Sequence, residues 1–220
     1  MKHIHIDFIS DVACPWCAVG LGSLEQAMLE LKDELSVDIQ FHPFELNPQM
    51  AKGGEDTTEH LMKKYRLSPQ EVSKNQKQIS ERAASVGFAF NENTRPRIFN
   101  TFTCHRLLHW AFVEHGAQSQ YKLKRELLSC YFTRNENVDD VNILLAAVDH
   151  VGLPIDQARK VIETDAYATE VKESISHAQN MGIQAVPSVI IGEKLLVQGG
   201  QPPDIFVKAL RQIAQSMAVS

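Results

Sequence analysis

Among its 220 residues this sequence has no apolar run approaching the length needed to cross a membrane, which argues against a bilayer-spanning helix. Basic residues are in deficit. Twenty-two Lys and Arg against 27 Asp and Glu give a formal charge of -5, so the concentrated basic face of a nucleic-acid binder is not expected. Cysteine is scarce, with four in all, and 44% of the residues are hydrophobic. A core of that size needs no disulfide framework to hold it. The chain lacks an internal repeat and a low-complexity tract. Its opening, Met1 to Phe8, alternates polar with apolar residues and carries Asp7, so it has no apolar stretch of the signal-peptide kind. The expected location is the cytoplasm.

What is present begins with that alternation. Ile4, Ile6 and Phe8 on one face predict a first strand over His3 to Ser10, and Asp11-Val12-Ala13 makes a turn after it. A helix is expected from the following residues to about Lys32, with Leu21, Leu24, Met28 and Leu31 at helical spacing. Gly20 and Gly22 leave room for close packing on its first half. Val37, Ile39 and Phe41 predict a second strand, parallel to the first across the helix. From about Thr57 to Met181 the pattern is helical throughout, with no convincing strand. Ser68-Pro69-Gln70-Glu71 is a capping box with proline at the first helical position, and that helix is expected to stop near Gly87. Further helices are predicted for Asn100 to His115, Gln118 to Phe132, Asp139 to Val151, Asp156 to Glu163 and Ala166 to Met181, with Gly116 and Gly152 as terminators. Val189-Ile190-Ile191 and Leu195-Leu196-Val197 around Gly192-Glu193 have the form of a hairpin, and Pro202-Pro203-Asp204 opens a last helix.

The chemistry resides in Cys14-Pro15-Trp16-Cys17, placed where a strand hands over to a helix. Thiol pKa values at helix N-termini fall from about 8.5 into the range of roughly 3.5 to 7.5, because the macrodipole is positive there. Cys14 is therefore expected to react as a thiolate. Pro15 suits the helix start, since its missing N–H would have had no partner, and Cys17 one turn later can be buried yet adjacent. Attack of Cys14 on a disulfide, followed by resolution by Cys17, is the implied reaction. A structural zinc site would need four ligands, usually with a second close pair; none exists, and Cys104, His105 and Cys130 do not have zinc spacing. No metal is expected. Trp16 is either an exposed apolar platform for a partner or a packing residue. Cys104 and Cys130 are small helix-packing residues or, if their helices are neighbours, a regulatory disulfide.

Several segments in order resemble the DsbA-like branch of the thioredoxin superfamily, and within it the FrnE-type subgroup, related to kappa-class glutathione transferases and 2-hydroxychromene-2-carboxylate isomerases. They are Asp7-Phe8-Ile9-Ser10-Asp11 leading into the cysteine pair, Pro43-Phe44-Glu45-Leu46-Asn47-Pro48, Asn100-Thr101 with His105-Arg106-Leu107, and Gly182-Ile183-Gln184-Ala185-Val186-Pro187-Ser188. The resemblance spans nearly the whole chain. It implies that Val186-Pro187 is a cis peptide facing the cysteines, with the Val186 backbone available to an extended substrate; the residues alone read as a trans proline at a strand start. It implies a cleft-facing position for His105 and Arg106, against the ordinary reading of satisfied core or surface groups. Gly199-Gly200-Gln201 resembles a family segment after the final strand, or simply makes a turn. The transferases and isomerases carry serine where Cys14 stands, which weighs against their activities here. Trp16 stands where DsbA itself has histidine, which implies a weaker oxidant.

The expected architecture is α/β: a thioredoxin-like domain from residues 1–50 and 182–220, with an all-helical domain, 51–181, inserted between the N-terminal βαβ part and the C-terminal hairpin and helix. The expected function is thiol–disulfide exchange with protein or small-molecule thiols and disulfides. No bound cofactor is expected beyond the redox-active Cys14–Cys17 disulfide, with glutathione as a candidate co-substrate. Monomer and homodimer are both open. The rival functions are a glutathione-dependent isomerase or transferase and a non-catalytic, chaperone-like binding module.

Overall fold

The computed structural model describes residues 1–91 and 96–217; residues 218–220 of the expected C-terminal portion fall outside it. Ile4, Ile6 and Phe8 alternate along β1 (Lys2–Ser10) and are wholly enclosed. This strand is central in a four-stranded sheet of order β2-β1-β5-β6. It pairs in parallel with β2 (Leu35–Pro43), Ile4 opposite Val37 and Phe8 opposite Phe41, and antiparallel with β5 (Ser188–Ile191), Phe8 opposite Val189. β6 (Leu195–Gln198) completes the hairpin with β5, and the turn between them has Gly192 at φ 58° and Glu193 at φ 57°. The parallel crossover is α1 (Pro15–Glu30), as the strand–helix–strand pattern requires.

Both glycines near the start of α1 are close-approach sites. A Cβ on Gly22 would lie 2.5 Å from the Val86 carbonyl oxygen, and one on Gly20 would lie 3.0 Å from Pro187 Cγ.

Between the two halves of the sheet lie α2 (Thr57–Tyr65), α3 (Pro69–Ser85), α4 (Phe102–His115), α5 (Ala117–Leu128), α6 (Val141–His150), α7 (Ile155–Glu163) and α8 (Ala168–Asn180). The capping box at α3 is complete: Ser68 Oγ accepts from the Glu71 amide at 3.3 Å and Glu71 Oε2 accepts from the Ser68 amide at 2.8 Å. Gly87, Gly116 and Gly152 all take positive φ past helix ends, the conformation that stops a helix at least cost. The last helix, α9 (Pro203–Ser216), packs on α1 and on β1, β5 and β6.

Two expectations for this middle region are corrected. It is not wholly helical, because Glu55–Asp56 (β3) and Arg97–Ile98 (β4) form a short antiparallel ladder; two residues per strand give no alternation to read. The helix expected over Gln118 to Phe132 is α5 followed by a π-helical segment, Ser129–Thr133. A π turn has the same apolar composition as an α turn, and its added residue leaves little trace in the periodicity.

One apolar cluster runs from Ile4, Phe8 and Leu24 of the sheet portion through Leu107, Trp110 and Leu127 of the helices. A smaller one, Ile9, Phe44, Ala178 and Ile183, has Leu46, Val186 and Ile190 packed against it. No helix among the described residues is long and apolar enough to cross a membrane.

Candidate active site

The end of β1 delivers the chain into a turn in which the Cys14 amide donates to the Asp11 carbonyl at 3.2 Å. Cys14 is the N-cap of α1, with extended φ and ψ of -90° and 111°, and Pro15 occupies the first helical turn. Cys14 therefore sits at the positive end of the α1 dipole, and its carbonyl accepts from the Cys17 amide at 3.0 Å. Cys14 is 3% exposed and Cys17 is fully enclosed; both are free thiols. Burial, reinforced by the adjacent Cys14, pushes the Cys17 thiol up, while the charge of Lys124 opposes that rise.

Opposite them, the Val186–Pro187 peptide is cis, and Cys14 Sγ donates to the Val186 carbonyl at 3.6 Å. That loop is held from behind by the Gly199 amide, which donates to the Pro187 carbonyl at 2.8 Å. Gly200 brings the same segment against Trp16, since a Cβ there would lie 2.8 Å from Trp16 Cε3. One part of the indole thus packs on Gly200, and the side chain remains 40% exposed. Trp16 is both a packing residue and a surface platform. Cys14, Pro15, Trp16, Cys17, Val186 and Pro187 are thereby brought to one place.

His105 and Arg106 part company. His105 is buried, with Nε2 3.5 Å from Asp11 Oδ1, beneath the cysteine turn. Arg106 turns its guanidinium to the end of α7, where Nε donates to the Ala166 carbonyl at 2.8 Å and Nη2 donates to the carbonyls of Val161 and Thr164. These contacts clamp one helix end; none is with the cysteine pair. Cys104 donates to the Val138 carbonyl at 3.3 Å, and burial raises its thiol; burial likewise pushes Cys130 up to about 12. Neither has the character of a reactive sulfur.

Asp11 was not singled out in the sequence, and it organises the site. It is enclosed, and its carboxylate accepts from the Ala13 amide at 3.1 Å, the Leu46 amide at 2.7 Å and Thr101 Oγ at 2.8 Å. Burial alone would raise its pKa, but the His105 imidazole and the Leu46 and Ala13 amides outweigh burial and hold the carboxyl below its ordinary range. Leu46, Thr101 and His105 each come from one of the segments that carry the family resemblance, as Asp11 itself does. That coincidence was the available signal. Lys124 was missed too: it is 1% exposed, and its charge acts on Cys17, Asp11, Cys104 and Cys14.

The description "DSBA-like thioredoxin domain" matches residues 5–211 of this chain. A probable DsbA oxidoreductase from Streptomyces coelicolor superposes with a TM-score of 0.86 and 29% identity, over 96% of this chain and 89% of that one. A 2-hydroxychromene-2-carboxylate isomerase shares the fold at a TM-score of 0.71 and 12% identity, over 98% and 99% of the two chains. The cytosolic disulfide reductase DsbM from Pseudomonas aeruginosa, solved with GSH, gives 0.63 and 14%, over 96% and 99%. With a cysteine at the N-cap of α1, a second buried one turn later and a cis-proline loop against the first, the chain belongs to the DsbA-like thioredoxin domain family.

Proposed function

We propose that this protein is a cytoplasmic dithiol–disulfide oxidoreductase in which Cys14 is the attacking sulfur and Cys17 the resolving one. The observation that carries the reading is the placement of Cys14 Sγ at the helix start, 3.6 Å from the Val186 carbonyl of the cis-proline loop. An extended thiol or disulfide substrate meeting that loop would bring its sulfur to Cys14, with Trp16 as an apolar surface beside it.

In the reductive direction the Cys14 thiolate attacks one sulfur of the substrate disulfide. The substrate S–S bond breaks, one half leaves as thiolate, and a mixed disulfide joins the other half to Cys14. Cys17, as thiolate, then attacks the Cys14 sulfur. The Cys14–Cys17 bond forms, the second half leaves, and the protein is oxidised by two electrons while the substrate is reduced. Oxidation of a substrate dithiol follows the same path backwards.

Glutathione is a candidate small thiol partner, supported by the fold shared with a reductase solved with GSH. Equilibration in glutathione redox buffers, with Cys104 and Cys130 replaced by alanine, should show Cys14 and Cys17 passing together between dithiol and disulfide as the ratio changes. Cys14→Ser should abolish turnover of a disulfide. Undiminished turnover by that variant would refute the reading, and glutathione-conjugate isomerisation surviving loss of both cysteines would favour the isomerase class.

A further inference from the structure

Lys124, on α5, is 1% exposed, and its Nζ has no hydrogen-bond partner among the described residues. A buried amine left in that state is costly, and packing alone would be served by leucine. Lys124 borders a cavity of about 180 Å³ between β2 and the inserted helices. The wall also carries His42 from β2, His105 and His109 from α4, Gln120 from α5 and Ser174 from α8. A water claims about 30 Å³ of the liquid, so the cavity has room for one compact ion with a few waters.

The polar side chains named on this wall all have a hydrogen to give. Gln120 Nε2 spends one hydrogen on the Phe41 carbonyl at 2.8 Å and keeps a second. His42 Nε2 lies 2.8 Å from Asp7 Oδ1, which fixes its proton on that nitrogen and leaves Nδ1 to donate when the ring is charged. No Asp or Glu is among the described residues of the wall. The two carboxylates paired with its histidines, Asp7 with His42 and Asp11 with His105, are not part of the lining. Donors that become cationic, gathered without an acid, favour an anion over a neutral solute.

We propose that this cavity is a binding site for a small tetrahedral oxyanion of the sulfate and phosphate class, held by the Lys124 ammonium and the imidazoles of His42 and His109. Occupancy does not depend on the redox reading above. The electrostatics agree with the geometry. Burial lowers the Lys124 ammonium, and the charges of Cys17, Asp11, Cys104 and Cys14 oppose that fall. Burial lowers His109 too, with Glu170 opposing and His42 adding to it. An anion in the cavity favours the charged form of both, so binding should take up protons and weaken as pH rises.

Sulfate is the first probe, because its charge is constant across the neutral range. In titration calorimetry at an ionic strength fixed with chloride, the native chain should bind one sulfate, with heats in two buffers that report proton uptake. Lys124→Met should weaken binding at least about tenfold, as loss of a charged hydrogen bond does, and should lessen the uptake. His109→Phe should also weaken it, and serves if the methionine variant does not fold. Absence of saturable sulfate binding, or native affinity in both variants, would overturn the site. Acetate binding as tightly as sulfate would overturn the tetrahedral assignment. Inorganic phosphate and phenyl phosphate, compared in the same way, distinguish the two sources of the group: tighter binding of the first assigns a free ion, and tighter binding of the second assigns an ester.

Discussion

Asp11 carries a charge in a place closed to water, and everything around it is arranged to make that charge tolerable. Three donors and the His105 imidazole converge on its two oxygens from the cysteine turn, the loop after β2 and the start of α4. Removing the charge while keeping the shape, as in Asp11→Asn, leaves donors facing an amide group that also donates. The expected loss is about 3 kcal/mol, the scale for breaking a buried charged pair, read as a lower urea midpoint at pH 7. The folded carboxyl sits below its unfolded value of about 3.9. Its stabilisation is therefore complete above that value and disappears as pH falls through the lower folded one, so native and variant midpoints should converge in acid. Of this site, the sulfurs were legible because two cysteines spaced at one helical turn after a strand have few other uses. The carboxylate at the centre was not, because its meaning lies in three segments distant in sequence, and only the fold shows that they meet.

Elements were legible where a cap or a period announced them. Ser68 with Glu71 opened α3, and Gly116 and Gly152 closed later helices, since a residue with positive φ is cheapest as glycine. The π turn at Ser129–Thr133 and the two-residue ladder escaped, being too short to have a period. Gly20 and Gly22 were legible as small residues in α1, but their partners were not. The partner decides what a substitution does. At Gly22 the obstruction is the backbone carbonyl of Val86, 2.5 Å from an added Cβ, with Val86 Cγ2 at 2.9 Å. Alanine gains about 1 kcal/mol of helix propensity, yet α1 and the end of α3 must separate to admit it, and overpacking costs about 1–3 kcal/mol. Gly22→Ala should therefore destabilise the protein in thermal unfolding despite the better helix former, with Cys14 alkylation unchanged. At Gly20 the neighbour is the Pro187 ring at 3.0 Å, so the same substitution should register instead in the reactivity of Cys14.

Across the whole molecule, the sheet's outer edge is closed by a helix of the insertion. β2 lies at that edge, and at Phe41 its amide donates to Gln120 Oε1 at 2.8 Å while its carbonyl accepts from Gln120 Nε2 at 2.8 Å. The glutamine side chain takes the place of a neighbouring strand, which both satisfies two buried backbone groups and denies the edge to another chain. The same helix contributes Leu123 and Leu127 to the cluster that contains Phe8 and Leu24. Helices and sheet consequently share one interior. Unfolding should be a single transition, with far-UV circular dichroism and Trp110 fluorescence coincident in a Trp16→Phe background, Trp110 being buried in α4. Gln120→Leu keeps the bulk and orphans both Phe41 groups, for an expected cost of about 3 kcal/mol. If the insertion were merely tethered to the sheet, that loss would fall on the sheet alone and the two probes would separate. A shared interior predicts that both midpoints move down together, and that the weakened β2 edge makes the variant more prone to association during refolding.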